Sequence, residues 1–223
     1  MSRHEFFTIH VTNHAKGSKM EGIQSIGTTS LCNPICRKRK EICGGICAKC
    51  YADALCKCRK SLDEHLQENF GKLTARLLTR REATAVPITS AITRIESFGD
   101  VANVVQARNY LRIIRSHPHI RFGIWSKNWG IWLAAFKAEG KPRNCTYVHS
   151  SMYINQPDGI DPAMMPYVDH VFTVWDKKTY PAVIAENPAT ECAGIRCMSC
   201  QKCYKKCRKN DKKNSFYINE RLR

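Results

Sequence analysis

The chain carries thirteen cysteines, and twelve of them fall into two tight groups. The first comprises Cys32, Cys36, Cys43, Cys47, Cys50, Cys56 and Cys58. The second comprises Cys192, Cys197, Cys200, Cys203 and Cys207, and only Cys145 stands between them. Thiolates at such short intervals suit a metal ion or an iron–sulfur centre. Cys43-Gly-Gly-Ile-Cys47-Ala-Lys-Cys50 has the spacing CxxxCxxC. Three thiolates can hold three irons of a [4Fe–4S] cluster and leave the fourth open to another ligand, whereas a structural zinc site needs four closed ligands. Cys192-x4-Cys197-x2-Cys200-x2-Cys203 supplies four thiolates by itself. That set suits a second iron–sulfur centre or, alternatively, tetrahedral zinc. Cys32, Cys56, Cys58, Cys145 and Cys207 read as incidental thiols, with Cys145 expected in the core.

Charge bears on both the partner and the chemistry. The 223 residues include 36 Lys and Arg against 19 Asp and Glu, a net charge of +17. Such an excess favours nucleic acid or another phosphate-bearing partner. Many of these cations also flank the cysteines: Arg37, Lys38, Arg39 and Lys40, then Lys202, Lys205, Lys206, Arg208 and Lys209. There they would lower thiol pKa values and offset the charge of a bound cluster. No stretch reads as a signal peptide or a membrane span, so no membrane partner is expected. In a reducing cytosol clustered cysteines are metal ligands rather than disulfides. A hydrophobic share of 43% supports a packed core. Neither a phosphate-binding GxxxxGK[ST] loop nor a GxSxG nucleophile elbow occurs. The histidines show no paired metal spacing.

The elements that must position the cysteines follow from periodicity. Residues 1–20 read as an arm or edge strand, and GIQSIGTTSL (22–31) as a strand leading into the first cysteine group. Residues 61–82 read as a helix with Ser61 as N-cap and Leu62, Leu66, Phe70, Leu73 and Leu77 as its apolar stripe. Strands at 86–95, 119–126, 144–151 and 168–176 then alternate with helices at 101–116, 129–140 (closed by Gly140) and 177–186. The alternation predicts βαβ units and a mostly parallel sheet. A complete (β/α)8 barrel takes about 250 residues, so a partial (β/α) barrel of the TIM type fits better. In this architecture chemistry collects at the carboxyl ends of strands. Those ends carry Glu96, Ser97, Gly99 and Asp100 (in ESFGD), Lys127 and Asn128 (in WSKN), His149-Ser150-Ser151 and Asp176.

The CxxxCxxC loop after the first strand resembles the radical S-adenosylmethionine (radical SAM) superfamily. In that family three cysteines hold a [4Fe–4S] cluster and SAM completes the open iron. A glycine-rich acidic stretch after the second strand contacts the SAM amino group, and ESFGD stands at that place, in a different order from the usual Gly-Gly-Glu. A closer resemblance runs along most of residues 17–206. GSKMEGIQSI, CNPIC, ICAKCYA, ESFGDV, WSKN, VFTVWDK and CAGIRCMSCQKCYKK look like the bacteriophage gene product 88 family. That resemblance implies a phage-encoded protein in the cytoplasm of an infected cell. It also implies Cys36, Cys47, Cys50 and the four C-terminal cysteines as family-like positions. The first centre therefore has two rival ligand sets, Cys43/Cys47/Cys50 and Cys36/Cys47/Cys50.

The combined expectation is an α/β protein. A partial barrel with its N-terminal arm and cluster loop spans 1–190, and a cysteine-rich basic extension spans 191–223. It would hold one or two [4Fe–4S] clusters, with SAM as the further ligand that the superfamily resemblance implies. Two alternatives stand beside it: a zinc-dependent nucleic-acid-binding protein, and a non-catalytic iron–sulfur protein for electron transfer or redox sensing. Substrate, turnover and oligomeric state are left open by sequence.

Overall fold

A computed structural model describes residues 7–207 and 216–222. Arg208 and Lys209 of the basic run, and the first six residues of the N-terminal arm, lie outside them. Strands β1 (Thr12–Asn13), β2 (Gln24–Ile26), β3 (Ile92–Ile95), β4 (Arg121–Ser126), β5 (Cys145–Ser150), β6 (His170–Trp175) and β7 (Tyr217–Arg221) form one sheet. Their order in space is their order in the chain, with β1 antiparallel to β2 and every later pair parallel. The sheet is open, with β1 and β7 at its edges.

The helices are α1 (Pro34–Lys40), α2 (Tyr51–Cys58), α3 (Lys60–Ala75), α4 (Arg80–Thr84), α5 (Val104–Ser116), α6 (Trp129–Glu139), α7 (Tyr180–Glu186) and α8 (Cys197–Cys200). Right-handed crossovers that always step to the next strand stack their helices on one face. The packing agrees. Leu73 of α3, Ala83 of α4, Tyr110 and Ile114 of α5, and Trp132 and Phe136 of α6 share a core with Ile26, Ile95, Phe122, Ile124, Cys145 and Tyr147 of the strands. Strand side chains alternate between faces, so Ile92, Trp125 and Val148 point the other way. They meet Ile23, Tyr204, Met20, Phe172 and the C-terminal Cys197, Met198 and Cys203. The second cysteine group thus covers the inner face of the sheet.

Several boundaries differ from expectation, each for a local reason. The helix expected at 61–82 starts at Lys60, and Arg59, not Ser61, occupies the N-cap. It breaks after Ala75 and resumes as α4, where Thr79 and Glu82 form a capping box. Asn109 bridges the break: its Oδ1 accepts from Leu78 N at 2.8 Å, and its Nδ2 donates to the carbonyls of Leu73 and Arg76. The strand expected from residue 86 begins only at Ile92, because Gln24 Oε1 takes the N–H groups of Thr89 and Ser90. The strand expected at 22–31 shortens to Gln24–Ile26. Among the described residues of the arm, Thr12–Asn13 forms an edge strand, while Phe7, Ile9 and Val11 pack into the core. Gly140 closes α6 as expected, at φ +74° and with its N–H on Phe136 O at 2.7 Å. Strand β7 was not foreseen. It comes from the 191–223 stretch and pairs with β6 along five residues.

Candidate metal centres

The first cysteine group follows the carboxyl end of β2. Asn33 caps α1 by accepting from Ile35 N and Cys36 N, Pro34 occupies its first turn, and Asn33 Nδ2 donates to Asp100 O at 2.5 Å. This places Cys36 at the start of α1. Cys47 and Cys50 lie in and just after a 3-10 turn, Ile46–Lys49. Ile46 N donates to Met152 O at 2.9 Å, and Gly45 bridges to Tyr153, so the loop is pinned on the segment after β5. Cys36, Cys47 and Cys50 lie within electrostatic reach of one another. Cys43 is exposed beside Gly44, whose φ is +73°. Of the two rival sets, the fold gathers Cys36/Cys47/Cys50.

Burial pushes the Cys36 thiol up, and the negative charges of Asp100, Glu96, Cys47 and Cys50 add to it. Burial also raises Cys47, but there Lys127 and Arg39 pull the other way. Both cations are fixed. Arg39 donates to Asp100 Oδ2 at 3.2 Å and to Lys127 O at 3.2 Å, and Lys127 Nζ donates to Ser150 Oγ at 3.0 Å. Asp100 also accepts from Ser126 Oγ (2.5 Å), Lys127 N (2.9 Å) and Val101 N (2.8 Å). Among the described residues Lys127 forms no ion pair with a carboxylate.

The other strand-end residues have mostly internal roles. Glu96 is buried at φ +58°. Its carboxylate accepts from Thr28 N and Oγ1, Gln106 Nε2 and Tyr110 Oη, the last at 2.5 Å. Gly99 permits this closure, since a Cβ there would stand 2.6 Å from Thr28 O. The Ser97 carbonyl accepts from Tyr51 Oη at 2.5 Å. Asn128 is buried with Nδ2 on Val101 O. Asp176 accepts from Thr179 N ahead of α7, and from Asn155. His149 is 2% exposed and neither ring nitrogen has a hydrogen-bond partner; Asp158 Oδ2 lies 3.7 Å away.

The second group is held by both ends of the chain. Cys192 N donates to Asn219 O of β7, and Cys197 N to Lys19 O, each at 2.8 Å. Lys19 Nζ reaches Cys192 Sγ at 3.0 Å and Glu220 Oε1 at 2.5 Å. Thr146 Oγ1 of β5 donates to Cys203 O at 2.7 Å. Cys203 lies within electrostatic reach of Cys192, Cys197 and Cys200. Burial pushes Cys203 up, the other three thiols push it further, and Arg94 opposes them. Burial likewise raises Cys197, against Lys19 and Arg94. Neither Lys19 nor Arg94 was singled out from sequence. Lys19 sits in GSKMEG, and only its nearness to the C-terminal segment reveals a role.

The donor chemistry fits a cysteine-bound centre at both places. Each set pairs soft sulfur donors with fixed cations, and a bound metal's own charge would reverse the upward pressure on the thiols. Among the described residues no three Cys, His, Asp or Glu side chains already close around a single ion. Of the remaining cysteines, Cys145 lies in the main core and Cys56 packs with Ala52, Leu66 and Phe98. No helix among the described residues is long and apolar enough to cross a membrane. A family model described as Gene product 88 matches residues 11–215, a span that includes both cysteine groups. No curated protein and no solved structure matches the chain.

Proposed function

Because the chain belongs to the Gene product 88 family, and the matched span includes both cysteine groups, we propose that it is a phage-encoded iron–sulfur protein. Cys36, Cys47 and Cys50 would hold a [4Fe–4S] cluster with one iron open to another ligand. Cys192, Cys197, Cys200 and Cys203 would hold a second iron–sulfur centre. The observation that carries this reading is charge. Half-buried thiols stand beside Lys127 and Arg39 at one group and beside Lys19 and Arg94 at the other, and Lys127 and Arg94 have no carboxylate partner among the described residues. Partly buried cations need compensation, and metal-bound thiolates supply it.

Sequential parallel order from β2 to β7, with α3–α6 packed on one face, supports a partial barrel like that of radical SAM proteins. SAM, if bound, would complete the open iron and supply a sulfonium that the cluster could cleave reductively. Lys127, which acts on Cys47 and whose Nζ donates to Ser150 Oγ, would orient its carboxylate. A second reading, an electron-transfer or redox-sensing protein without SAM, is favoured by Glu96 and Asp100. Both acids of the ESFGD stretch are engaged inside the protein, so neither offers a free carboxylate to an amino group.

The test is anaerobic purification with iron, sulfide and visible-absorption analysis, followed by titration of the loaded protein with SAM. Brown protein with iron and acid-labile sulfide is expected. Colourless protein with stoichiometric zinc overturns the reading in favour of a zinc protein, for which the +17 charge would make nucleic acid the natural partner. SAM binding to loaded protein supports the enzyme; no binding supports the electron-transfer version.

A further inference from the structure

Charge is not spread evenly along the chain. Residues 34–60 carry eight Lys and Arg against two acids, Glu41 and Asp53, where the whole chain has 36 against 19. Asp53 is held between Lys40 and Lys57, and Arg39 is taken by Asp100. That leaves Arg37 and Lys38 at the end of α1, Lys49 in the 3-10 turn, and Arg59 and Lys60 where α2 passes into α3. All five are exposed, and among the described residues none of them pairs with a carboxylate.

Exposed cations are ordinary one by one. What sets these apart is their company. The same segment carries Cys36, Cys47 and Cys50, with Lys49 between the last two. Two exposed aromatic rings flank that turn. Tyr51 follows Cys50 and is 60% exposed, with its hydroxyl fixed on Ser97 O at 2.5 Å. Tyr153 is 39% exposed and bridges to Gly45 at the start of the turn. Tyrosine usually turns its polar tip to water and its apolar body inward; Tyr51 does the reverse. Cations that grip a phosphate backbone and rings on which bases stack are the two parts of a single-strand binding face. A duplex offers phosphates but keeps its base faces stacked, so exposed rings beside the cations favour a single strand.

We propose that segment 34–60, with Tyr153, binds single-stranded nucleic acid. Arg37, Lys38, Lys49, Arg59 and Lys60 meet phosphates, and Tyr51 and Tyr153 stack on bases. A strand gripped there lies against the first cysteine group. This goes beyond the iron–sulfur reading above and holds whichever metal the cysteines carry.

The experiment uses full-length, metal-loaded protein and a short fluorescein-labelled oligothymidylate, followed by fluorescence anisotropy over a range of salt concentrations. Each neutralised phosphate of a single strand contributes about −0.7 to the slope of log affinity against log salt, so five contacts give a slope of about −3.5. Arg59→Gln with Lys60→Gln should flatten the slope by about 1.4, at unchanged metal content. Tyr51→Leu and Tyr153→Leu should each weaken binding by about tenfold at unchanged slope, while Tyr51→Phe, which keeps the ring, should retain most of the affinity. Arg80→Gln with Arg81→Gln removes two exposed cations from α4 and should leave the slope unchanged. No binding at low salt overturns the assignment. So does an equal loss from the α4 pair, which would mean that total charge is read and not this face. Equal affinity for a duplex and for both leucine variants overturns the single strand as partner. Binding to phosphatidylserine vesicles that the oligonucleotide cannot displace would give the face to a membrane instead. Iron, sulfide and zinc content, measured on the same samples, decides the metal and leaves each of these outcomes standing.

Discussion

At the scale of single residues, the first centre turns on which thiols face one another. The CxxxCxxC spacing names Cys43, and the family resemblance names Cys36, for one place. The fold separates them, because Asn33 holds the start of α1 against Asp100 O, while Cys43 rides an exposed turn. Cys43→Ser should therefore leave the iron content of the first centre unchanged, and Cys36→Ser should remove most of it, read as iron per chain and visible absorbance. Equal loss in both variants would refute the assignment. Cysteine spacing could not decide this, since a turn with a left-handed glycine redirects a side chain without altering any interval. Arg94 was equally hidden: a lone arginine in a strand gains meaning only from the rings and thiols that other segments bring to it.

At the scale of elements, β4 shows how one small residue fits the cover to the sheet. Apolar alternation made this strand legible, as it did β5 and β6, and their sequence bounds agree with the fold to within two residues. Periodicity gave no reason for Gly123. A methyl group there would stand 2.6 Å from the Trp125 ring and 2.8 Å from Tyr204. Gly123→Ala should therefore cost about 1–3 kcal/mol by overpacking, seen as a lower urea midpoint at unchanged m-value. It should also loosen iron at the C-terminal centre more than at the first. Equal retention at both centres would contradict the contact. β7 escaped sequence reading because its Tyr-Ile-Asn-Glu-Arg run is short, does not alternate, and lies in basic, cysteine-rich surroundings. Its pairing with β6 is a long-range choice that local pattern does not encode.

At the scale of the whole molecule, a buried carboxyl and a half-buried imidazole oppose each other in their response to pH. Burial raises Glu96 from 4.5 to about 7, despite the hydrogen bonds that favour its ionised form. Burial, with Arg94 second, lowers His14 from 6.5 to about 4. The raised carboxyl adds stability that is complete below 4.5 and is lost as pH climbs through about 7. The depressed imidazole adds stability that is complete above 6.5 and is lost as pH falls through about 4. Between pH 4.5 and 6.5 the two slopes cancel in part. Glu96→Gln should leave a protein that weakens on acidification across this window, and His14→Gln one that strengthens, measured as urea midpoints. Parallel profiles for both variants would refute the opposition. The parallel α/β class was readable from alternating strands and helices. The clasp between the chain's two ends was not, because Lys19 and Glu220 stand 201 residues apart. That separation also sets a schedule. A ribosome adding roughly 5–20 residues per second needs on the order of ten seconds or more between emitting Lys19 and emitting Glu220. Trp125 and Val148, once emitted, wait uncovered until Cys197, Met198, Cys203 and Tyr204 follow them to this face of the sheet.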